Sequence, residues 1–367
     1  MHLISKPLKK RFAELNVQAK AAIHRHPQLG MAEELQQLSH AVTPADSRDS
    51  YGQGGSIHDF EQQLSELFAS PGCLFLPTGT LAQCVALKCY SEQSGRSCVG
   101  LHPTSHLLLH EHRAIEQLWR VNVTEMGRHQ HVLSIDDVRQ LNPDTTAAII
   151  IETPMREIGG VLPSWEDLTM MRAWCTEHDV KMHLDGARIW QTTEFYQRSL
   201  AEIALLFDSI YVSFYKDLGG IFGAALLGSA ELIEQARIWA RRAGGNPMTL
   251  YPEVIAARAG LKKYLAQMPQ FVHYTKQLCV ALGSAPLTIL PEQPQVPMFH
   301  LQFNMHPETL AQKIVSYAQR TGIVVLPLPR SGSAHSCTCE ISIGDHAIAH
   351  PPLYWTKHIQ ACLAQKY

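Results

Sequence analysis

The chain has 367 residues, 46% of them hydrophobic and 17% charged, with a formal net charge of −2. That length exceeds one small core and, at roughly 100–200 residues per domain, points to two or three domains. No basic stripe emerges, so the electrostatic footprint that grips a phosphate backbone is missing and nucleic acid is excluded as an expected partner. The nine cysteines are scattered without a C-x-x-C pair. Cys73 and Cys98 fall in apolar runs, where a reduced thiol packs as a small hydrophobe. The expectation is a reduced, cytoplasmic protein. No window approaches the ~18 consecutive apolar residues of a membrane span. Met1 to Leu15 carries lysines, an arginine and Glu14, without the continuous apolar core of a signal peptide.

The first fifty residues read as helical and end in a run of turn formers from Thr43 to Gly55, a loop. From about Phe60 to Ser229, short apolar runs alternate with amphipathic stretches. Strands are predicted at Leu74–Leu76, Cys98–Leu101, Val121–Glu125, Ala147–Ile151, Lys181–Leu184, Ile210–Phe214 and Gly223–Leu227. Helical patterns such as Leu162–Glu177 lie between several of them. This alternation predicts an α/β fold with a mostly parallel, seven-stranded sheet flanked by helices. After Leu250 the rhythm changes. A long helix from Pro252 to about Gln267 leads to strand-like runs at Leu287–Leu290, Met298–Phe303, Ile323–Leu328 and Cys339–Ile343. Helices are expected at Glu308–Gln319 and Pro352–Lys366. The predicted organisation is an N-terminal helical segment over 1–50, a large α/β domain over 51–250, and a linking helix with a smaller α+β domain over 251–367.

Three motifs carry chemistry, in a fixed order. Pro77-Thr78-Gly79-Thr80-Leu81-Ala82-Gln83 follows an apolar strand and opens a helix. Small residues there expose backbone N–H groups at the positive end of the helix dipole, which suits phosphate. His183-Leu184-Asp185-Gly186-Ala187-Arg188 places an acid at the carboxyl end of a strand, where open α/β sheets bind ligands. Ser213-Phe214-Tyr215-Lys216-Asp217-Leu218-Gly219-Gly220 places a lysine just past a strand. Singly, each reads as readily as a plain turn, a helix cap or a solvated lysine. Together they supply what pyridoxal phosphate (PLP) requires: a phosphate cradle, a carboxylate for the pyridine nitrogen and an amine for the aldehyde. Asp185 and Lys216 lie 31 positions apart, a gap that suits one strand–helix–strand crossover onto a neighbouring strand.

At these residues the chain resembles the threonine aldolase and β-eliminating lyase family of PLP enzymes, over about Tyr51 to Gly245. The resemblance implies the type I PLP fold, with the large domain binding PLP. It implies that Lys216 is the Schiff-base lysine and Asp185 holds the pyridinium. Thr78, Gly79 and Thr80 belong to the phosphate cradle, with Ser213 also at the cofactor. Arg188 lies beside the cofactor and the substrate carboxylate. His106, five positions before Glu111, is the imidazole stacked on the pyridine ring. Tyr51-Gly52 matches a loop that reaches the active site of a neighbouring subunit, which implies a homodimer or homotetramer. The implied activity is retro-aldol cleavage of a small β-hydroxy-α-amino acid to glycine and an aldehyde, with His106, or a water it holds, serving the proton. β-Elimination, racemisation or PLP binding with little catalysis are the alternatives.

The chain also departs from the family pattern. An N-terminal Ser-Asp-Thr motif is missing. Glu152-Thr153-Pro154-Met155 stands where Glu-Asn-Thr-His is usual, so Met155 replaces a histidine, and Cys337-Thr338-Cys339-Glu340 stands where an arginine is expected. Arg156 or Arg330 could replace that arginine. Of the twenty histidines, His102, His106 and His110 have one-face helical spacing that could hold zinc. Pro103 interrupts such a helix and no H-e-x-x-h type motif accompanies it, so stacking by His106 and surface positions for the others are expected. Arg241-Arg242, followed by Gly244-Gly245, could reach a phosphate or end a helix, and the helix end is the expectation.

Overall fold

The computed structural model describes residues 3–27 and 29–365. It comprises two compact units, one of residues 38–157 and 162–266, the other of residues 1–37, 158–161 and 267–367.

The larger unit is built on seven strands: β1 (Gly72–Leu76), β2 (Cys98–Leu101), β3 (Asn122–Glu125), β4 (Thr146–Glu152), β5 (Lys181–Gly186), β6 (Ser209–Ser213) and β7 (Ala224–Gly228). Their order across the sheet is β1-β7-β6-β5-β4-β2-β3. The strands from β6 to β3 pair in parallel, whereas β7 runs antiparallel to both of its neighbours, β6 and β1. Two reversals cancel, so the carboxyl end of β1 lies on the same sheet edge as those of β4, β5 and β6. The central strands are buried along their length, as expected for a sheet covered on both faces. Each of the seven predicted strands is present, shifted by at most two residues at either end.

Helices form where capping and periodicity agree. The helix Gly79–Ser94 is capped by Thr78, whose side chain accepts from the Leu81 N–H. Trp165–Glu177 begins at Ser164, whose hydroxyl accepts from the Asp167 N–H. Such caps satisfy N–H groups that the first turn leaves bare. Arg241 and Arg242 occupy the last turn of Ala230–Arg242, the favourable end of its dipole.

The smaller unit holds an antiparallel sheet of Ser331–Gly332, Cys337–Ser342, Met298–Phe303 and Thr288–Leu290, in that order, with helices Met268–Leu282, Pro307–Thr321 and Pro352–Leu363. Two expectations differ here. The run Ile323–Leu328 is a strand only at Ile323–Val324, since Pro327 and Pro329 have no N–H to give a ladder; that pair joins Ala21–Ala22 in a separate two-stranded sheet. The N-terminal residues accordingly group with the C-terminal ones rather than standing alone. The helix Lys6–Val17 packs on Pro307–Thr321, and Phe12 and Leu15 cover Val324 and Ala318. No described helix is long and apolar enough to cross a membrane.

Candidate active site

A cleft opens at the carboxyl edge of the large sheet. Its wall includes Gly79, Thr80, His106, Asp185, Arg188 and Lys216, six of the nine residues singled out from sequence. Three lie elsewhere. Thr78 is engaged as the helix cap. Ser213 is fully buried in β6, its hydroxyl without a partner among the described residues. Tyr51 is 53% exposed, in left-handed backbone at φ 51°, its N–H bonded to the Met248 carbonyl.

Lys216 sits on a loop clamped from several sides. Phe214 donates its N–H to the Gly223 carbonyl and accepts from Gly220 N–H at 2.8 Å. The Phe214 ring stacks on Phe75 at 5.7 Å and contacts Phe60 at 5.2 Å, a desolvated anchor directly before the lysine. Asp217, on the other side, is buried and accepts from the Gln191 amide at 2.8 Å. The loop has little freedom to swing. Lys216 Nζ lies 3.4 Å from the Tyr211 hydroxyl. Burial, and then the positive charge of Arg188, push this amine down to about 8, against the opposite pull of Asp185, Asp217 and Glu152. A lysine so placed has a far larger neutral fraction near physiological pH than an unperturbed one, and the neutral form is the nucleophile.

Asp185 is 3% exposed at the end of β5, its Oδ1 accepting from the Ala187 N–H at 3.1 Å. Beneath it, His183 is wholly buried against the Ser209 hydroxyl at 2.7 Å, and burial lowers its imidazole to about 3. It is a neutral packing residue. Arg188 is 9% exposed, and its Nε has no hydrogen-bond partner among the described residues.

At the helix start, Gly79 is required by a close approach. A Cβ there would lie 2.1 Å from the Tyr211 hydroxyl, so only glycine lets β6 and the first turn meet. Next to it, Glu111 Oε1 accepts from both the Thr80 hydroxyl and His106 Nδ1, each at 2.9 Å. This carboxylate is nearly buried and ties the histidine to the helix start. The His110 ring stands 5.0 Å from that of His106, and His110 Nε2 is 3.1 Å from Glu157 Oε1. His102 is not a surface residue. It is 4% exposed and turned inward, bonded to Thr104 Oγ1 at 2.7 Å and the Arg128 carbonyl at 3.0 Å. No group of metal-ligating side chains gathers among the described residues.

Sequence reading missed Glu152 as a site residue. It ends β4, pairs in register with Asp185 on β5, and lines the cleft. Burial, and then the charge of Asp185, hold its carboxyl well above the usual range. The criterion that selected Asp185, an acid closing an apolar strand, would have selected it too. Tyr211 and Tyr215, also on the wall, had no such signal. Arg156 lines the same wall, 28% exposed at its side chain and 3.9 Å from Glu157. Arg330 belongs to the smaller unit, bonded to Glu340 at 2.8 Å.

The beta-eliminating lyase family model matches residues 31–293. The chain belongs to that family. It is 25% identical over 270 residues to the low-specificity L-threonine aldolase of Eremothecium gossypii, covering 70% of this chain and 69% of that one. It spans 51% to 69% of the length of several curated relatives that it matches. A solved structure of a candidate L-allo-threonine aldolase from Listeria monocytogenes EGD-E superposes with a TM-score of 0.89 at 32% identity, over 97% of this chain and 99% of that one. One from Exiguobacterium sp. 255-15, a candidate aromatic amino acid beta-eliminating lyase/threonine aldolase, gives 0.91 at 32%, over 96% and 99%. The family is one of PLP-dependent lyases of the type I fold. The residues of this cleft fit that cofactor: the helix start is kept bare by Gly79, the amine of Lys216 is depressed toward neutrality, and Arg188 holds a buried, unpartnered donor.

Proposed function

We propose that this chain cleaves small β-hydroxy-α-amino acids of the threonine and allo-threonine type to glycine and an aldehyde. PLP, when bound, supplies the sink for the electron pair freed at Cα. The observation that carries the reading is the convergence of Lys216, Asp185, Arg188 and the Gly79 helix start on one edge of the sheet. In this reading Lys216 would hold the cofactor through its aldehyde, and Asp185 would hold the protonated pyridine nitrogen. The N–H groups at Gly79 and Thr80 take the phosphate. His106, held by Glu111, presents its ring for stacking. Arg188 takes the substrate carboxylate through two parallel hydrogen bonds, the geometry a planar guanidinium favours. Tyr51, exposed and away from its own cleft, would serve the site of a second copy in a homodimer or homotetramer.

The experiment is turnover by the PLP-saturated protein. L-Threonine and L-allo-threonine should yield acetaldehyde, followed by NADH oxidation with alcohol dehydrogenase, and glycine in equal amount. Ammonia and a keto acid, or an inverted Cα with no aldehyde, would replace this reading with β-elimination or racemisation.

A further inference from the structure

The cleft holds a second histidine–carboxylate pair that the reading above leaves without a task. We propose that His110, oriented by Glu157, is the catalytic base that takes the substrate's β-hydroxyl proton. The inference rests on the retro-aldol reading and adds a residue to it.

The pair is assembled from two distant elements. His110 closes the short helix His106–Leu109, its N–H bonded to the His106 carbonyl. Glu157 sits in the 3₁₀ turn Arg156–Ile158, whose first N–H is held by Glu152 Oε1 at 3.0 Å. They are 47 positions apart in sequence, yet Nε2 and Oε1 meet at 3.1 Å and both side chains line the cleft. A carboxylate on Nε2 fixes the tautomer, because the proton on that nitrogen is the one donated. The lone pair is thereby left on Nδ1, which has no hydrogen-bond partner among the described residues. This is the base-and-orienter arrangement of acid–base catalysis. Exposure supports the division of labour: the His110 side chain is 40% exposed and open to a small molecule, whereas Glu157 is 19% exposed.

His106 is committed elsewhere. Its Nδ1 is bound to a carboxylate that also holds Thr80 at the phosphate end of the site. Stacking, the task given to His106 in that reading, would use the face of the ring and not its nitrogens. His110, one ring away at 5.0 Å, is held by Glu157 through Nε2 and keeps Nδ1 without a hydrogen-bond partner among the described residues.

In the step itself, the β-hydroxyl O–H bond breaks and its proton passes to His110 Nδ1. An oxygen electron pair forms the carbonyl at Cβ, and the Cα–Cβ bond breaks with its pair kept at Cα. Cα then takes a proton, which gives glycine, and His110 returns its own to the solvent. No oxidant or reductant enters.

The test uses the PLP-loaded enzyme and two partial readouts. Glycine exchanges its α-proton with D2O without any β-hydroxyl, so NMR exchange reports the rest of the site. His110→Phe should lower kcat for L-threonine about a hundredfold or more, the usual worth of a positioned base. KM, glycine exchange and the PLP affinity of the apo-protein should each stay within about threefold, since no uniform binding contact is removed. Glu157→Gln should lower kcat by roughly tenfold with KM unchanged, and Glu157→Asp should restore part of it, as expected of a positioning residue. Threonine cleavage at the wild-type rate in His110→Phe would overturn the assignment while leaving the retro-aldol reading intact. Equal loss of glycine exchange and cleavage would also overturn it, as general damage to the site. A wild-type enzyme that exchanges glycine but cleaves no β-hydroxy amino acid would overturn the function and this base together.

Discussion

Glu152 and Asp185 are register partners at the carboxyl ends of adjacent parallel strands, and both line the cleft. Burial, and then the Asp185 charge, raises the Glu152 carboxyl. The folded protein therefore keeps a proton on Glu152 that the unfolded chain releases just above its ordinary value of 4.5. A raised folded value gives stability that is full below the unfolded value and is lost as pH climbs toward the folded one. Glu152→Gln removes that loss and can still accept from the Arg156 N–H. The melting temperature of the apo-variant should match the wild type near pH 4.5 and exceed it by a growing margin toward pH 8. A margin that is constant with pH would mean that Glu152 is ionised in the fold.

Gly79→Ala tests the contact between the phosphate end of the cleft and the sheet. The added Cβ would meet Tyr211 at 2.1 Å from its hydroxyl oxygen and 2.3 Å from Cζ. The ring, buried in β6, has little room to retreat. Overpacking of this kind costs about 1–3 kcal/mol. The variant should melt several degrees lower and bind PLP more weakly than wild type, as read by calorimetry and cofactor titration. Unchanged values of both would show that Tyr211 moves freely.

Lys216→Ala should abolish covalent capture of PLP and leave the fold intact. Borohydride treatment of the loaded wild type followed by peptide mapping should place the pyridoxyl label on Lys216 alone. A label on another lysine would end the assignment. The depressed amine adds a second outcome. Capture of PLP by the apo-protein should speed up with rising pH through about 8, where the neutral amine becomes the main form, and level off above it.

The large sheet was legible because most of its strands carry a short apolar run bounded by turn formers, and the acid–lysine spacing pointed to two residues that the structure brings to one cleft. Which strand ran backwards was not legible: β7 reads like its neighbours, and only pairing on both sides reveals the reversal. Proline explains the strand that fell short at Val324, a signal present in the sequence and not applied. Contacts between distant positions were beyond reach. Gly79 against Tyr211, and His110 with Glu157, depend on how β1, β2 and β4 deliver their following turns to one edge of the sheet, which periodicity does not encode.

Arg188 allows charge to be separated from shape. Its guanidinium is nearly buried, with Nε unpartnered among the described residues, and its charge helps to depress Lys216. Arg188→Lys keeps the charge but loses the planar fork, because an ammonium is a point charge without paired parallel donors. Arg188→Gln loses the charge as well. Both variants should raise KM for threonine by tenfold or more, about 1.4 kcal/mol for each factor of ten. Arg188→Lys should also lower kcat, since a carboxylate that swings no longer fixes which bond at Cα stands perpendicular to the cofactor plane. Transamination or racemisation products should then appear beside glycine. The pH dependence of PLP capture separates the two variants. It should stay near about 8 in Arg188→Lys and move to higher pH in Arg188→Gln, where a positive neighbour has gone and the protonated amine is less disfavoured. Unchanged KM and products in Arg188→Lys would assign the substrate carboxylate to another group, with Arg156 on the same wall the first to substitute.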